Sequence, residues 1–414
     1  MWNFSTEAAR RLVLFLFLFW LSAASVALAE TPSATLQQEV AQIAERAIAE
    51  KRLAGSVVIV YHKGAPVLES AYGLADLKAR KPMRVDSLFR LASVSKPMVS
   101  AAALRLVELE KIDLDSPVTT WLPEFTPAAA DGKSYPITIH HLLTHTSGLS
   151  YRFSEGKDSL YHVLGVSDGL DQPELSAEEN LQRLGQAPLK FVPGTAFLYG
   201  LSTDVLGIAI GKAVSSTLPE VVKAYVLDPL AMRDTGFLPT DRERLTTPYA
   251  NTPNGLFPIV DGTELTLGEG QVSYTPSKSF SPLSNPSGGA GMIGSAPDFV
   301  RFLEAIRQDG RGILKAETVR LMRTDKLPES VKGAGAGRGF GYGWSIINDP
   351  TAAKTPQSAG TLAWGGAYGH SWFVDPAAEL SVVVFTNTAF EGMAGAFPRE
   401  VRDAVYRYQK ASTR

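Results

Sequence analysis

Apolar residues recur along this chain with two different periods, and the switches between them divide it. Leu36, Val40, Ile43, Ala47 and Ile48 fall on one face at helical spacing, which predicts an amphipathic helix over 36–52. Ser56-Val-Val-Ile-Val-Tyr61 and Pro66-Val-Leu-Glu-Ser-Ala-Tyr72 then read as two strands flanking a turn at His62–Ala65. A helical run follows through Pro97, Met98, Val99 and Ala101 to Leu109. From about 111 to 290 the chain is rich in Pro, Gly, Ser and Asp. Short helical pieces are predicted there at 138–144, 177–185 and 202–214, with long loops, above all 245–288, that would shape a site. Strands return at Phe340–Ile347, Thr361–Gly365, Ser371–Val374 and Leu380–Thr386, and a helix over 394–409 closes the chain. Asp375-Pro-Ala-Ala-Glu379 is the turn between the last two strands.

Strands at both ends with helices between them predict an α/β (α+β) fold. An antiparallel sheet flanked by helices would be built from 30–90 and 290–410. A mostly helical insertion with long loops would occupy 91–289.

The first 29 residues carry a different signal. Arg10 and Arg11 precede an unbroken apolar run from Leu12 to Leu21, and Ala27-Leu28-Ala29 fits a small-x-small cleavage site. A signal peptide over 1–29 is expected, with the mature chain starting near Glu30 and no stable membrane insertion after cleavage. The alternative is a retained anchor, since 12–29 has marginal spanning length. Export to the periplasm or medium follows from either. The chain has no cysteine, which removes disulfides, thiol catalysis and thiolate metal sites. Net charge is only −2 and no basic block is present, so nucleic acid is not an expected partner.

Five constellations could carry chemistry. Ser93-Val-Ser-Lys96 puts a serine and a lysine one helical turn apart, at a helix start whose unpaired N–H groups suit an oxyanion. A lysine there can lower a neighbouring pKa or accept the serine proton. Tyr199, after the Pro193-Gly194 turn, is a candidate general base if an ammonium lies beside it, and otherwise a core tyrosine. Trp364-Gly-Gly-Ala-Tyr-Gly-His370 places glycines in a strand, which marks close approach by a ligand or another backbone. Gly165-Val-Ser-Asp-Gly169 matches the nucleophile-elbow pattern but lacks the strand before and helix after it, so Ser167 reads as a loop residue. His140, His141 and His145 cluster without the glutamate of a metalloprotease helix, and hydrogen bonds in a packed turn account for them better than zinc.

Six ordered segments together resemble the serine β-lactamase-like hydrolases, a family that includes class C β-lactamases, D,D-peptidases, D-aminopeptidases and family VIII carboxylesterases. They are Leu91-Ala-Ser-Val-Ser-Lys96, Ile139-His-His-Leu-Leu-Thr-His-Thr-Ser-Gly-Leu149, Tyr199-Gly-Leu-Ser-Thr-Asp-Val-Leu-Gly207, Leu227-Asp-Pro-Leu-Ala-Met-Arg-Asp-Thr-Gly-Phe237, Gly288-Gly-Ala-Gly-Met-Ile-Gly-Ser-Ala-Pro-Asp298 and Trp364–His370. The resemblance implies a β-lactamase/D,D-peptidase-like fold. It also implies Ser93 as acylated nucleophile, Lys96 as its proton partner, Tyr199 as base, and the Ser93 and Ala367 amides as oxyanion hole. No cofactor or metal is implied.

Two departures narrow the substrate. Leu201 stands where the family's Tyr-x-Asn carries asparagine, and Trp364-Gly365-Gly366 replaces Lys-Thr-Gly or His-x-Gly. An indole in place of an ammonium removes the charge that pairs with a substrate carboxylate at that position. Both departures are similar to family VIII carboxylesterases. A small-molecule ester of short to medium acyl chain is the expected substrate. A β-lactam or D-amino-acid peptide, or acyl transfer to an alcohol, is the alternative. Trp364, Gly365, Gly366, Tyr368, His370 and Leu201 are the expected substrate-binding residues.

Overall fold

In a computed structural model the described residues are 31–252, 255–328, 331 and 335–412; the expected signal peptide lies outside them. Helix α1 (Pro32–Ala49) starts four residues before the first apolar repeat because Thr31 caps it, its hydroxyl accepting from the Ala34 amide, with Pro32 at the first helical position. Strands β1 (Gly55–His62) and β2 (Ala65–Asp76) form the expected hairpin, and the short β3 (Lys81–Pro82) adds to β2. Strand β4 (Leu88–Arg90) leads into the Ser93 turn and helix α2 (Ser95–Glu108). Helices α3 (Ile139–Leu143), α4 (Ala177–Gln186) and α5 (Ser202–Ala213) lie where the spacing predicts them.

The stretch 245–288 is not the long loop expected. It folds into two hairpins, β5 (Tyr249–Thr252) with β6 (Gly255–Pro258), and β7 (Thr263–Leu267) with β8 (Gly270–Tyr274). Each strand has at most five residues, and its polar alternation resembles loop composition. Strand β9 (Ile293–Ser295) pairs with β4 and leads into α6 (Ala296–Arg307).

The segment Phe340–Ile347 is likewise not one strand. It is a tight reversal between β10 (Arg338–Phe340) and β11 (Ser345–Ile347). Gly343 takes φ +100°, which lets the chain turn, and buries the Trp344 ring, whose indole N–H donates to the Met322 carbonyl. Strands β12 (Leu362–Gly366), β13 (His370–Asp375) and β14 (Leu380–Thr386) and helix α7 (Ala396–Ser412) complete the chain.

The main sheet runs β10-β11-β12-β13-β14-β1-β2-β3, every neighbour antiparallel. Its strands come from residues 55–82 and 338–386. All of β14 and nearly all of β1 are buried, because both faces are covered and an alternating pattern is not required. One face packs Val58, Val60, Val382 and Val384 against α1 and α7. The other packs Val57, Ile59, Val383 and Phe385 against α6 and the largely buried α2. The site lies where the start of α2 meets the end of β12.

Candidate active site

The Ser93 turn is pinned from both sides. The Leu91 amide donates to the Met292 carbonyl at 2.9 Å. The Ser95 hydroxyl donates to the Ala92 carbonyl at 2.7 Å and accepts from the Met292 amide at 3.1 Å. These bonds hold Ala92 at φ +48°, a left-handed conformation that costs about 1 kcal/mol in a residue with a Cβ. Each is worth about 1 kcal/mol, so the strain is outweighed. Ser93 follows in a single 3-10 turn, two residues before α2 begins.

Lys96, wholly buried in the first turn of α2, donates to the Ser93 hydroxyl at 3.2 Å and to the Gly289 carbonyl at 2.7 Å. Its ammonium also lies 4.7 Å from the ring centre of Tyr199 and 5.5 Å from that of Tyr151, both within cation–π reach. Its charge faces Asp204, buried in the first turn of α5. Burial pushes the Asp204 carboxyl up, while the Lys96 charge and the Ser287 hydroxyl pull it back. Gly289 separates the two: a Cβ there would lie 2.5 Å from Asp204 Oδ2 and 3.2 Å from Lys96 Nζ. Only glycine lets that backbone run between acid and ammonium.

Tyr199 is set by His145. The Leu198 amide donates to the His145 carbonyl at 2.9 Å and the Gly200 amide to His145 Nδ1 at 3.3 Å. Burial, then the charge of Lys96, push His145 well below its usual pKa, so the ring is neutral and Nδ1 can accept. The His145 ring packs 4.7 Å from that of Tyr199. From the opposite side the Trp364 indole N–H donates to the Tyr199 hydroxyl oxygen at 3.1 Å. His141 accepts from the Thr138 amide at the start of α3, and His140 pairs with the Tyr342 hydroxyl. All three histidines thus have packing or capping work.

A cavity of about 550 Å³ opens over these groups. At this end its wall is Ser93, Tyr199 and Trp364 with Tyr151, Phe153 and Leu170, and hairpin β7–β8 adds Leu267 and Val272. Ala367 also faces it, in the turn after β12. The Ser93 and Ala367 amides have no hydrogen-bond acceptor among the described residues, as donors to an oxyanion require. Strand β12 comes so close that a Cβ on Gly366 would lie 2.4 Å from the Leu91 carbonyl oxygen. A larger cavity of about 860 Å³ lies alongside but is lined by none of Ser93, Tyr199 or Trp364, all three of which line the smaller one.

Several expected substrate-binding residues are elsewhere. His370 faces Phe89 and Phe385, is bonded at Nε2 to the Arg90 carbonyl at 2.8 Å, and is buried out of the cavity. The alternation along β13 turns it inward. Tyr368 lines the larger cavity instead, packed edge-to-face with Tyr274. Leu201 is fully buried in the core beneath Tyr199, and Gly366 is covered by Leu91. Trp364 and Gly365 do line the cavity. Ser167 is buried, its hydroxyl donating to Asp171 at 2.5 Å, and no contact joins it to His370.

Of the other wall residues, Tyr151 and Phe153 belong to no motif, and Asp168 lies in the Gly165–Gly169 loop. Tyr151 and Phe153 are stacked at 4.8 Å, and Asp168 accepts from the Arg152 and Phe153 amides, which fixes that wall. Burial pushes the Asp168 carboxyl up to about 7. Asp204 lies in the Tyr199–Gly207 segment, five residues after Tyr199, and its signal in the sequence is a charged residue at the start of an otherwise apolar helix.

Comparisons with known proteins give the family and the fold. The Beta-lactamase family model matches residues 40–406. Esterase EstB of Burkholderia gladioli is 48% identical over 377 residues, covering 90% of this chain and 96% of its own. Protein Rv1367c of Mycobacterium tuberculosis is 34% identical, covering 79% and 84%. The solved structure of "EstCE1, a hydrolase with promiscuous acyltransferase activity" superposes with a TM-score of 0.88 at 45% identity, over 90% of this chain and 99% of that one. Simvastatin synthase from Aspergillus terreus, at 21% identity and TM-score 0.73, shares the fold. The chain is a serine hydrolase and belongs to the Beta-lactamase family.

Proposed function

We propose that the protein is an exported serine carboxylesterase acting on esters of short to medium acyl chains through an acyl-enzyme on Ser93. The esterase class rests on the relatives EstB and EstCE1. The observation that carries the chemistry is the buried Lys96 ammonium, 3.2 Å from the Ser93 hydroxyl and over the face of Tyr199. Ser93 Oγ attacks the ester carbonyl carbon, and its proton passes to the Tyr199 oxygen, which enters the step as a phenolate beside the Lys96 ammonium and leaves it as the phenol. The carbonyl oxygen becomes an oxyanion between the Ser93 and Ala367 amides. The tetrahedral intermediate collapses, the C–O bond to the alcohol breaks, and Tyr199 returns the proton to the leaving alkoxide. Water then attacks the acyl-enzyme, gives its proton to Tyr199, and releases the carboxylic acid and Ser93.

The acyl-length reading is supported by the wall of Phe153, Leu170, Leu267, Val272 and Trp364, which offers apolar surface over a bounded volume. Trp364 and the buried Leu201 supply no cation for a β-lactam carboxylate beside the nucleophile. Export is supported by the charged, apolar and small-residue pattern of 1–29. Acyl transfer to an alcohol is a second reading of the same acyl-enzyme, favoured by the description of EstCE1.

The test is hydrolysis of p-nitrophenyl butyrate and of nitrocefin by the protein, Ser93→Ala and Ser167→Ala. Ester turnover lost only in Ser93→Ala, with slow nitrocefin turnover, is expected. Nitrocefin turned over faster than the ester, or an active Ser93→Ala, would refute the reading. Added alcohol that diverts acyl groups into a new ester would favour transfer, and cell fractionation checks export.

A further inference from the structure

The catalytic cavity does not end at the nucleophile. It crosses the free edge of β12 and continues on the opposite face of the main sheet, under the start of α7. Strand β11 pairs with β12 only through Ser345↔Ala363 and Ile346↔Leu362, so no strand covers Trp364–Gly366 on that side. Paired residues in an antiparallel sheet face the same way. Ser345, Ala363 and Phe373 share one face, and Gly365, Ser371 and Val384 continue it, while Trp364 points to the catalytic side. This far lobe therefore has an apolar floor.

Its rim is cationic. Arg338 of β10 and Arg399 and Arg402 of α7 line it. Asp403 pairs with Arg402 from the outside at 2.7 Å and is itself about half exposed. Arg399 donates to the Ala394 carbonyl. The Arg338 guanidinium has no hydrogen-bond or ion-pair partner among the described residues, though the residue is half-buried and close enough to Arg402 to feel its charge. Asp168 is the carboxylate of the cavity wall, at the catalytic end, and already accepts two amides. A second observation points the same way. The Ser345 hydroxyl is 3% exposed, faces the lobe and has no hydrogen-bond partner. The Arg338 guanidinium, crowded by the charge of Arg402 and close to an unused buried donor, lacks an anion, and Arg402 has only the half-exposed Asp403.

We propose that the far lobe binds a carboxylate carried by the ester substrate, with Arg338 and Arg402 as its ion partners and Ser345 as a hydrogen-bond donor. This rests on the esterase reading and names its substrate class: esters with a carboxylate on either the acyl or the alcohol half. The indole at 364 keeps charge away from the nucleophile, and recognition of the anion moves across the strand edge.

Two pairs of esters separate the halves. Mono-4-nitrophenyl adipate against its methyl-capped diester places the anion on the acyl side. 4-Butyryloxybenzoate against its methyl ester places it on the alcohol side. In one pair, KM for the anionic member should be roughly tenfold lower than for the capped one at low salt, and the gap should shrink at high salt. Arg338→Gln and Arg402→Gln should each reduce the ratio several-fold. If either variant folds poorly, the salt series on the unaltered protein decides. Equal or weaker binding of the anionic member in both pairs, with the capped esters turned over, overturns this inference and leaves the esterase reading standing. Absence of turnover with every ester overturns both.

Discussion

The Trp364 indole N–H and the Tyr199 hydroxyl oxygen are 3.1 Å apart, with the N–H donating. In a family whose typical strand carries a lysine at this position, the indole keeps a donor on the tyrosine oxygen while contributing no charge. A neutral donor stabilises a phenolate without attracting a carboxylate to the nucleophile. The ring also packs 4.9 Å from that of Tyr199, so one side chain both packs against the Tyr199 ring and donates to its oxygen.

Trp364→Phe tests this. Phenylalanine keeps the aromatic wall and loses the donor. A hydrogen bond to a charged acceptor is worth about 1.5–3 kcal/mol, so kcat for p-nitrophenyl butyrate should fall roughly tenfold to a hundredfold with little change in Tm. A kcat within about twofold of the unaltered protein would mean that the indole acts only as a wall.

Asp204 and Lys96 make a second case. The ammonium is fully buried, and Asp204 is the carboxylate facing it across Gly289. Removing one partner of a buried charge pair costs about 3–5 kcal/mol, more than exposed pairs ever contribute. Asp204→Asn should leave the buried Lys96 without its facing carboxylate and lower kcat/KM roughly a hundredfold or more. The acidic limb of the pH–rate profile should move as well, which a merely loosened fold would not produce. Gly289→Ala should impair the same step by wedging a methyl between the two charges. Full activity in either variant would remove Asp204 from the mechanism.

Much of this site could be read from the sequence, because its parts lie in short local patterns. Ser93 and Lys96 are one helical turn apart, and Tyr199 follows a Pro-Gly turn. The sheet strands 55–62, 65–76, 362–366, 370–375 and 380–386 were legible for the same reason: each carries a short apolar or aromatic segment with turn residues close by. What the sequence hid is non-local. The β5–β8 hairpins are too short and polar to stand out, yet β7–β8 walls the cavity. His370 was misplaced although it shares a sheet face with Trp364, because Phe89, Phe385 and the Arg90 carbonyl enclose it in the core. Tyr151, Phe153 and Asp168 reach the cavity only through tertiary packing, held by Arg152 and the backbone amides around it.

Ser167 gives a prediction of opposite sign. Its hydroxyl donates to Asp171 and accepts from the Gly169 amide, inside a loop that braces the cavity wall. Ser167→Ala should keep kcat for the ester within about threefold and lower stability by about 1–3 kcal/mol, the cost of unpaired buried polar groups. Chemical denaturation and the ester assay measure the two effects separately. Loss of activity in a stable Ser167→Ala would restore the elbow motif as the nucleophile.

The buried His370 makes stability depend on pH. Burial lowers its pKa to about 4, despite the bond to the Arg90 carbonyl, whereas an exposed histidine titrates near 6.5. The folded state therefore binds fewer protons than the unfolded chain between those values, and stability must rise with pH across that window. The contribution is fully present above about 6.5 and is lost as the pH falls towards 4. A shift of this size corresponds to about 3 kcal/mol. His370→Gln retains an amide donor for the Arg90 carbonyl but cannot be protonated. The variant should lose less stability than the unaltered protein when acidified from about 7 to about 4, so the gap between their denaturation midpoints should move in the variant's favour as the pH drops. Parallel pH curves for the two proteins would show that His370 takes up its proton without penalty, and that its place in the core does not depend on neutrality.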